Sequence, residues 1–389
     1  MRPFFPALAL PALVVLAASL PWQAAAQDSD WSVRVTPFDD VFPALELSQA
    51  RRHVAAAATD HVLGDGTGLI AVRVRAQRAG EHVTLRISAP GLDAPATYSA
   101  ILAQDGADYE LHPPLDWDVP RLLTLATPLA AQLQFELTRD DAPTLARSVP
   151  VSLRPLEEAL YYVRDGADSV DLSWIFAAYV DERGATVDRI LEAAIDSGIV
   201  DKFDGYASAD SERVQRQVWA IWQALTAHGI RYSGADPAIG RGPRVFSQRV
   251  RFIDETWADR SANCIDGSLL IASVLQRIGI RSFLVLVPGH AFVGFYMDAD
   301  AQRAAYLETT LLGASVNLPA ALPAFASGTV TARASLASFT AALAAGRAHH
   351  ARVARKLDGK HRPDYAVIDI SAARAFGIRP IAAGGIITN

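Results

Sequence analysis

The stretch of sequence that decides the fold is Ala262–Ser268 (ANCIDGS), together with the apolar segment that follows it. Residues 269–278 (LLIASVLQRI) place apolar side chains on nearly every face of a helix, which is typical of a central, buried helix. Asn263 is a favourable N-cap residue, so the sequence predicts that the helix begins at Cys264. Unpaired amide groups and the helix dipole stabilise an anion at such a position, and the thiolate is the reactive form of cysteine.

Two residues of this stretch allow a structural interpretation. A lone cysteine is more often a small buried hydrophobic residue than a nucleophile. Asp266 lies two residues beyond Cys264, but it is also the third residue after Asn263. We interpret Asp266 as the second half of a capping box, which holds the start of the helix rigid.

Three predicted strands follow the helix. Residues 283–287 (FLVLV) form a buried strand, residues 290–296 (HAFVGFY) a second and residues 305–310 (AYLETT) a third. His290 begins the second strand and Glu308 lies in the third, so adjacent strands present an imidazole and a carboxylate side by side. If the helix packs on this sheet, thiol, imidazole and carboxylate meet in the order of nucleophile, base and orienting group. Spacing alone does not exclude the alternative that His290 is a surface residue and Glu308 a solvated carboxylate.

The chain outside this region predicts a second domain. Apolar residues alternate with polar ones from Trp31 to Arg154, which indicates strands with one buried face and predicts an immunoglobulin-like β-sandwich over residues 27–154. We see no site chemistry in it and favour a binding or spacing role. After Pro155 the period becomes helical, as in residues 210–228, and helices then mix with strands. The expected fold class is therefore α+β, with the second domain over residues 155–389.

The first 26 residues predict a secretory signal peptide, because a long apolar run ends in small residues at Ala24 and Ala26. No later segment is apolar over the length that a membrane span needs. We therefore expect an exported protein, periplasmic or secreted by a bacterium, without stable membrane insertion after cleavage.

Charge and cysteine content exclude several classes of function. The 389 residues include 36 Lys and Arg against 42 Asp and Glu, and the net charge of -6 argues against nucleic acid as a partner. One cysteine rules out an intramolecular disulfide and a cysteine-rich metal centre. The pair His349–His350 has no carboxylate or cysteine at metal-ligand spacing, so we predict a solvated helix end. We expect no metal and no cofactor.

The motifs around the cysteine, taken together, resemble the bacterial transglutaminase-like superfamily, whose fold is papain-like. The resemblance rests on NCIDGSLL, LQRIGI, PGHAFVGFY and LETT, and it covers residues 210–312. It implies Cys264 as nucleophile, His290 as general base and Glu308 as orienting acid. The acid of that superfamily is commonly Asp, so Asp298 and Asp300 remain alternatives. Arg260–Ala262 stands where a glycine is frequent.

An acyl-transfer site also needs hydrogen-bond donors for the tetrahedral oxyanion. The amide of Cys264 is one candidate from its helix position. A second is the side chain of Gln248, since papain-like enzymes use a glutamine that precedes the cysteine. Trp257 or a tryptophan of the preceding helix is the other option, and Gln248 is equally well explained as an exposed loop amide.

These features predict an exported cysteine enzyme that forms a thioester from a peptide or glutamine amide. Resolution by water gives a protease or amidase, and resolution by an amine gives a transglutaminase; we favour hydrolysis. The expected partner is a peptide or protein of the cell envelope. The alternative is a catalytically silent fold that acts as an envelope binding or scaffold protein, and the presence of Cys, His and acid together argues against it.

Overall fold

The structure is a computed structural model, and it describes residues 30–49, 53–54, 61–65, 68–140, 142–166, 168–234, 242–317, 323–326 and 333–381. Within these ranges the chain forms two compact units. The N-terminal unit comprises residues 30–172 and 242–248, and the C-terminal unit comprises residues 173–234 and 249–381. The predicted signal peptide lies outside the described residues.

Helices and strands are mixed along the chain, as expected for the α+β class. The strands are β1 (Trp31–Val35), β2 (Asp40–Val41), β3 (His53–Val54), β4 (Val62–Asp65), β5 (Ile70–Arg75), β6 (Glu81–Ser88), β7 (Ala96–Leu102), β8 (Asp108–His112), β9 (Leu129–Arg139), β10 (Leu145–Leu153), β11 (Glu158–Asp165), β12 (Asp168–Asp171), β13 (Arg231–Tyr232), β14 (Val245–Arg249), β15 (Ser261–Ala262), β16 (Ser282–Val287), β17 (His290–Tyr296), β18 (Ala304–Leu307) and β19 (Ala366–Asp369). The α-helices are α1 (Pro43–Leu47), α2 (Val119–Leu123), α3 (Ala185–Asp196), α4 (Ser211–His228), α5 (Ile253–Asp259), α6 (Cys264–Arg277), α7 (Arg333–Val353) and α8 (Ile370–Phe376). Short 3-10 helices cover Ser173–Tyr179, Thr309–Leu311, Ala324–Ala326 and Ala354–Lys356.

The N-terminal unit is built from β-sheets. Two sheets have five strands each, in the orders β1-β5-β8-β4-β3 and β2-β10-β9-β6-β7, and a third has the order β12-β11-β14. Buried and exposed side chains alternate along β6 and along the buried half of β9. Val83, Leu85 and Ile87 of β6 are at most 1% exposed. The period of two in the sequence therefore predicted these strands and their buried faces correctly.

The C-terminal unit contains an antiparallel sheet ordered β18-β17-β16-β19. Strands β16 and β17 form a hairpin that closes at Pro288–Gly289, with Val287 paired to His290. Gly289 adopts a φ of 71°, a left-handed conformation that costs glycine little. The first two strands predicted after the cysteine motif are confirmed. The third was predicted over residues 305–310, but it ends at Leu307, because Glu308 caps a 3-10 helix over Thr309–Leu311. The strands place the start of β17 close to the end of β18.

Helix α6 begins at Cys264, as predicted, and contacts β16 and β17. Every residue from Ile265 to Leu275 is buried, which explains why the sequence is apolar on nearly all faces. Gly279 follows with a φ of 77° and allows the chain to turn back toward the sheet. The helix therefore carries its first residue to the sheet in a well-packed setting.

Helix α7 lies against β18 at very short range. A Cβ atom added to Gly346 would meet the carbonyl oxygen of Tyr306 at 2.5 Å, so no larger residue fits without movement. The amide of Glu308 donates to the carbonyl of Ala342 over 3.1 Å. Of the helices in the described ranges, none is long and apolar enough to cross a membrane.

Candidate functional site

The capping box at the start of α6 positions Cys264. Asn263 Oδ1 accepts hydrogen bonds from the amides of Ile265 (3.0 Å) and Asp266 (2.9 Å). The Asp266 carboxylate accepts from the amide of Asn263 over 3.4 Å and from the amide of Arg251 over 3.0 Å. The structural role predicted for Asp266 is confirmed, and the half-buried thiol is held in the first turn of the helix.

The carbonyl of Cys264 is also held in place. Ser268 Oγ donates to it over 2.6 Å and Thr309 Oγ1 over 3.2 Å. Thr309 comes this close because Gly267 has no side chain; a Cβ atom there would lie 3.1 Å from that of Thr309. The main chain around the thiol is therefore fixed from two sides.

The chain makes a left-handed turn shortly before Cys264. Arg260 adopts a φ of 54°, in the left-handed region that glycine favours. Arg260 is the C-cap of helix α5, so this turn ends α5 and leads the chain into β15 and Cys264.

His290 and Glu308 are bonded to each other. His290 Nε2 donates to Glu308 Oε2 over 2.8 Å, because a carboxylate only accepts. His290 begins β17, and Glu308 directly follows β18 and caps the 3-10 helix Thr309–Leu311. The strands are in register with Val293 opposite Leu307. Glu308 is 3% exposed, so the carboxylate of this pair is shielded from water, while the His290 side chain is 21% exposed.

His290 also bonds to the thiol. Burial disfavours its charged form, but the side-chain hydrogen bonds with Cys264 and Glu308 outweigh burial and raise the pKa of His290 to about 9. The structure thus brings together the three side chains that the sequence singled out, in the order thiol, imidazole, carboxylate.

The two alternative acids lie elsewhere. Asp298 accepts hydrogen bonds from the amides of Gln302 and Arg303 and forms an ion pair with the Arg303 side chain at 3.2 Å. Asp300 is exposed, and its carbonyl binds Gln302. Both belong to the turn between β17 and β18. Of the three carboxylates, Glu308 is the one bonded to His290.

The prediction that His349–His350 is a solvated helix end without a carboxylate partner is wrong for His349. His349 Nδ1 donates to Glu308 Oε2 over 2.8 Å, and its side chain is 33% exposed. His350 has a different partner: its ring stacks on Tyr306 with centroids 4.0 Å apart, and its Nε2 lies 3.0 Å from the Tyr306 hydroxyl. Burial lowers the pKa of His350. Local spacing missed the contact because 41 residues separate His349 from Glu308.

His290, Glu308 and His349 are the residues in the described ranges with the donor set for a metal ion, with three ligand atoms within 4.8 Å of one another. Two ligands of a tetrahedral zinc ion lie about 3.3 Å apart when each metal–ligand distance is about 2.0 Å. Each imidazole nitrogen lies 2.8 Å from the carboxylate oxygen. As they stand, these distances are those of hydrogen bonds.

The three groups proposed as donors to an oxyanion, the Cys264 amide, Gln248 and Trp257, lie on different elements of the structure. The Asn263 side chain accepts from the amides of Ile265 and Asp266 and not from that of Cys264, and the role of the Cys264 amide as an oxyanion donor stays a prediction. Gln248 lies half-buried on β14 in the N-terminal unit, and its role stays a prediction. Trp257 stacks on His228 with the ring centroids 3.5 Å apart.

The tryptophans of helix α4, which precedes the cysteine, have structural partners. The indole nitrogens of Trp219 and Trp222 donate to Ser335 and Ser338 of α7, and both side chains are fully buried. Neither indole is therefore available to an oxyanion. A residue that sequence reasoning did not single out, Tyr232, is close to the site: burial and the charges of Cys264 and Glu308 raise the pKa of its hydroxyl.

A cavity of about 580 Å³ adjoins the site. His290, Glu308 and His349 form one side of it, Arg352 and Tyr365 add polar groups, and the remaining walls are mainly apolar. The apolar lining includes Val287, Pro288, Phe292, Leu311, Ala345 and Val353. An organic group of moderate size fits next to the imidazole and the carboxylate.

A scan of the chain against protein-family models finds no match, and a search of curated proteins finds no similar sequence. The ground for a function is therefore the chemistry of the side chains described above.

Proposed function

We propose that the protein is a transglutaminase-like cysteine enzyme in which Cys264 attacks an amide carbonyl, His290 transfers the protons and Glu308 orients His290. The observation that carries the proposal is the setting of His290. Its Nε2 bonds to a buried carboxylate over 2.8 Å, and its interactions with Cys264 and Glu308 raise its pKa to about 9. This is the arrangement that nucleophilic catalysis requires: a nucleophile, its base and a group that orients the base. A lone structural cysteine needs neither partner.

The proposed reaction has two steps. Thiolate Sγ attacks the amide carbon, and the tetrahedral intermediate collapses when the imidazolium of His290 gives its proton to the leaving amine, which leaves a thioester. Water then loses a proton to His290 and attacks the thioester carbon, and Cys264 departs as the thiol or thiolate with release of a carboxylic acid. With a pKa of about 9, His290 holds its proton at pH 7, as the first step needs.

Hydrolysis of peptide amides is the version we propose, with a peptide or protein of the cell envelope as substrate. Export rests on the apolar N-terminal segment of the sequence, and the papain-like fold rests on the motifs that resemble the transglutaminase-like superfamily. An amine that enters in place of water would make the same thioester a cross-linking intermediate. The cavity beside His290 is lined by His290 and Glu308 and not by Cys264, so the proposal rests on the side chains of the site and not on this cavity.

Alkylation of the thiol tests the proposal before a substrate is known. Cys264 is the single cysteine of the chain, so iodoacetamide reports on one site. We expect the wild type to react readily near pH 7, and His290→Ala to react more slowly at that pH, because it lacks the base next to the thiol. Equal profiles for the two proteins would sink the proposal and favour a catalytically silent binding protein. Incubation with a peptide library, with and without a primary amine, then separates hydrolysis from amine transfer.

A further inference from the structure

We propose that His349 is a positioning residue of the site, which holds the Glu308 carboxylate in the orientation that His290 needs. The inference rests on the proposed function, because it assigns His349 a role in supporting the Cys264–His290–Glu308 triad. It extends the triad to a side chain on helix α7, which sequence spacing did not connect with the site.

The hydrogen bonds of Glu308 explain why a second anchor matters. Thr310 binds one carboxylate oxygen, Oε1, with its amide (3.2 Å) and its hydroxyl (2.9 Å). With that anchor alone, the carboxylate could pivot about Oε1. His349 binds the other oxygen, Oε2, at 2.8 Å, and this is the oxygen that also accepts from His290. Attachment at two points fixes the plane of the carboxylate independently of His290.

Helix α7 is built to deliver His349 to this point. Ala342, Gly346 and His349 follow the i, i+4, i+7 spacing of one helix face. Ala342 accepts the amide hydrogen bond of Glu308, Gly346 allows contact with the backbone of Tyr306, and His349 reaches the Glu308 side chain. One face of α7 therefore holds both the main chain and the carboxylate of Glu308.

The His349 ring is itself confined. It lies edge-on to the ring of His290, with centroids 5.3 Å apart, and 5.8 Å from the ring of Phe292. The ionisable groups around the triad are His349 and Arg352 on α7, Tyr232 and Tyr365. A confined ring with a short bond to a carboxylate is suited to orienting it.

The neighbouring histidine supplies a matched control. His350 is on the same helix and is also partly buried, but it contacts Tyr306 rather than Glu308. His350→Gln keeps a polar group near the Tyr306 hydroxyl. His349→Asn places an amide N–H near the position of Nδ1, whereas His349→Ala removes the donor.

The experiment measures the iodoacetamide reaction rate of Cys264 from pH 5 to 9.5 in the full chain, alongside thermal unfolding of each variant. We expect His349→Ala to react at least about fivefold more slowly at pH 7, because a hydrogen bond to a charged group is lost. His349→Asn should recover most of the rate, and His350→Gln should match the wild type.

Several results would overturn the inference. They are an unchanged profile in His349→Ala, a loss that His349→Asn does not reverse, and an equal loss in His350→Gln. A lower unfolding temperature with an unchanged profile would show that His349 only stabilises the fold. The parallel variants His290→Ala and Glu308→Gln separate the two proposals. If neither changes the profile, the proposed function fails; if both do and His349→Ala does not, the positioning role alone fails.

Discussion

The substitution Glu308→Gln gives the sharpest test of the triad, because it removes one charge and leaves the side chain almost unchanged in size. Three N–H groups donate to this carboxylate: those of His290, His349 and the Thr310 main chain. A carboxylate has two acceptor oxygens, whereas an amide has one. A glutamine at this position must therefore turn its NH₂ group toward at least one of these donors.

The magnitude follows from the pKa of His290. Its rise from 6.5 to about 9 corresponds to about 3 kcal/mol of stabilisation of the imidazolium, net of the cost of burial. Cys264 and Glu308 share this stabilisation, and a hydrogen bond to a charged group contributes about 1.5–3 kcal/mol. Loss of the Glu308 charge should therefore lower the pKa of His290 by about one to two units.

The assay is the titration of the His290 ring by NMR, together with the pH profile of Cys264 alkylation. Asp298→Asn is the control, because it removes the same charge from an exposed turn where the aspartate binds Arg303. We expect Glu308→Gln to shift the pKa of His290 downward and to slow alkylation at pH 7, and Asp298→Asn to change neither. An unchanged His290 pKa in Glu308→Gln, or an equal shift in Asp298→Asn, would refute the assignment of the acid.

Three further predictions concern stability. The pKa of His290 is higher in the folded protein than its ordinary 6.5. Its contribution to the free energy of unfolding is therefore complete below about pH 6.5 and is lost as the pH rises through about 9. Chemical denaturation at pH 6 and pH 9.5 should show this loss in the wild type and not in His290→Ala. Asn263→Ala should lower the free energy of unfolding by about 0.5–2 kcal/mol, because two amides lose their cap, and a denaturation midpoint equal to that of the wild type would contradict it. Gly346→Ala should lower the free energy of unfolding by about 1–3 kcal/mol, because the new Cβ would overlap the Tyr306 backbone. The alkylation rate of Cys264 should fall in this variant as it does in His349→Ala. Wild-type stability and alkylation in Gly346→Ala would show that α7 can shift away from β18 without a loss of free energy.

Local sequence patterns predicted the elements that carry the site. The N-cap Asn263, the apolar segment after it and the turn at Pro288–Gly289 act over a few residues, so their effect is visible in the sequence. The alternation of apolar residues likewise predicted strands of the N-terminal unit such as β6 and β9. The return of residues 242–248 to that unit had no such local signal, because it depends on pairing between β11 and β14, which are far apart in the chain.

The sequence by itself determined where the thiol and the imidazole stand on their own elements, because helix capping and strand period are local properties. It placed the carboxylate within the third strand, whereas Glu308 lies just after β18 and caps a 3-10 helix. Tertiary structure alone decided which groups meet. The register of β17 and β18 places Glu308, and not Asp298 or Asp300, next to His290. The close contact of α7 with β18 at Gly346 brings His349 to Glu308. A hydrogen bond depends on the final positions of atoms from distant segments, and those positions follow from packing, which spacing along the chain does not encode.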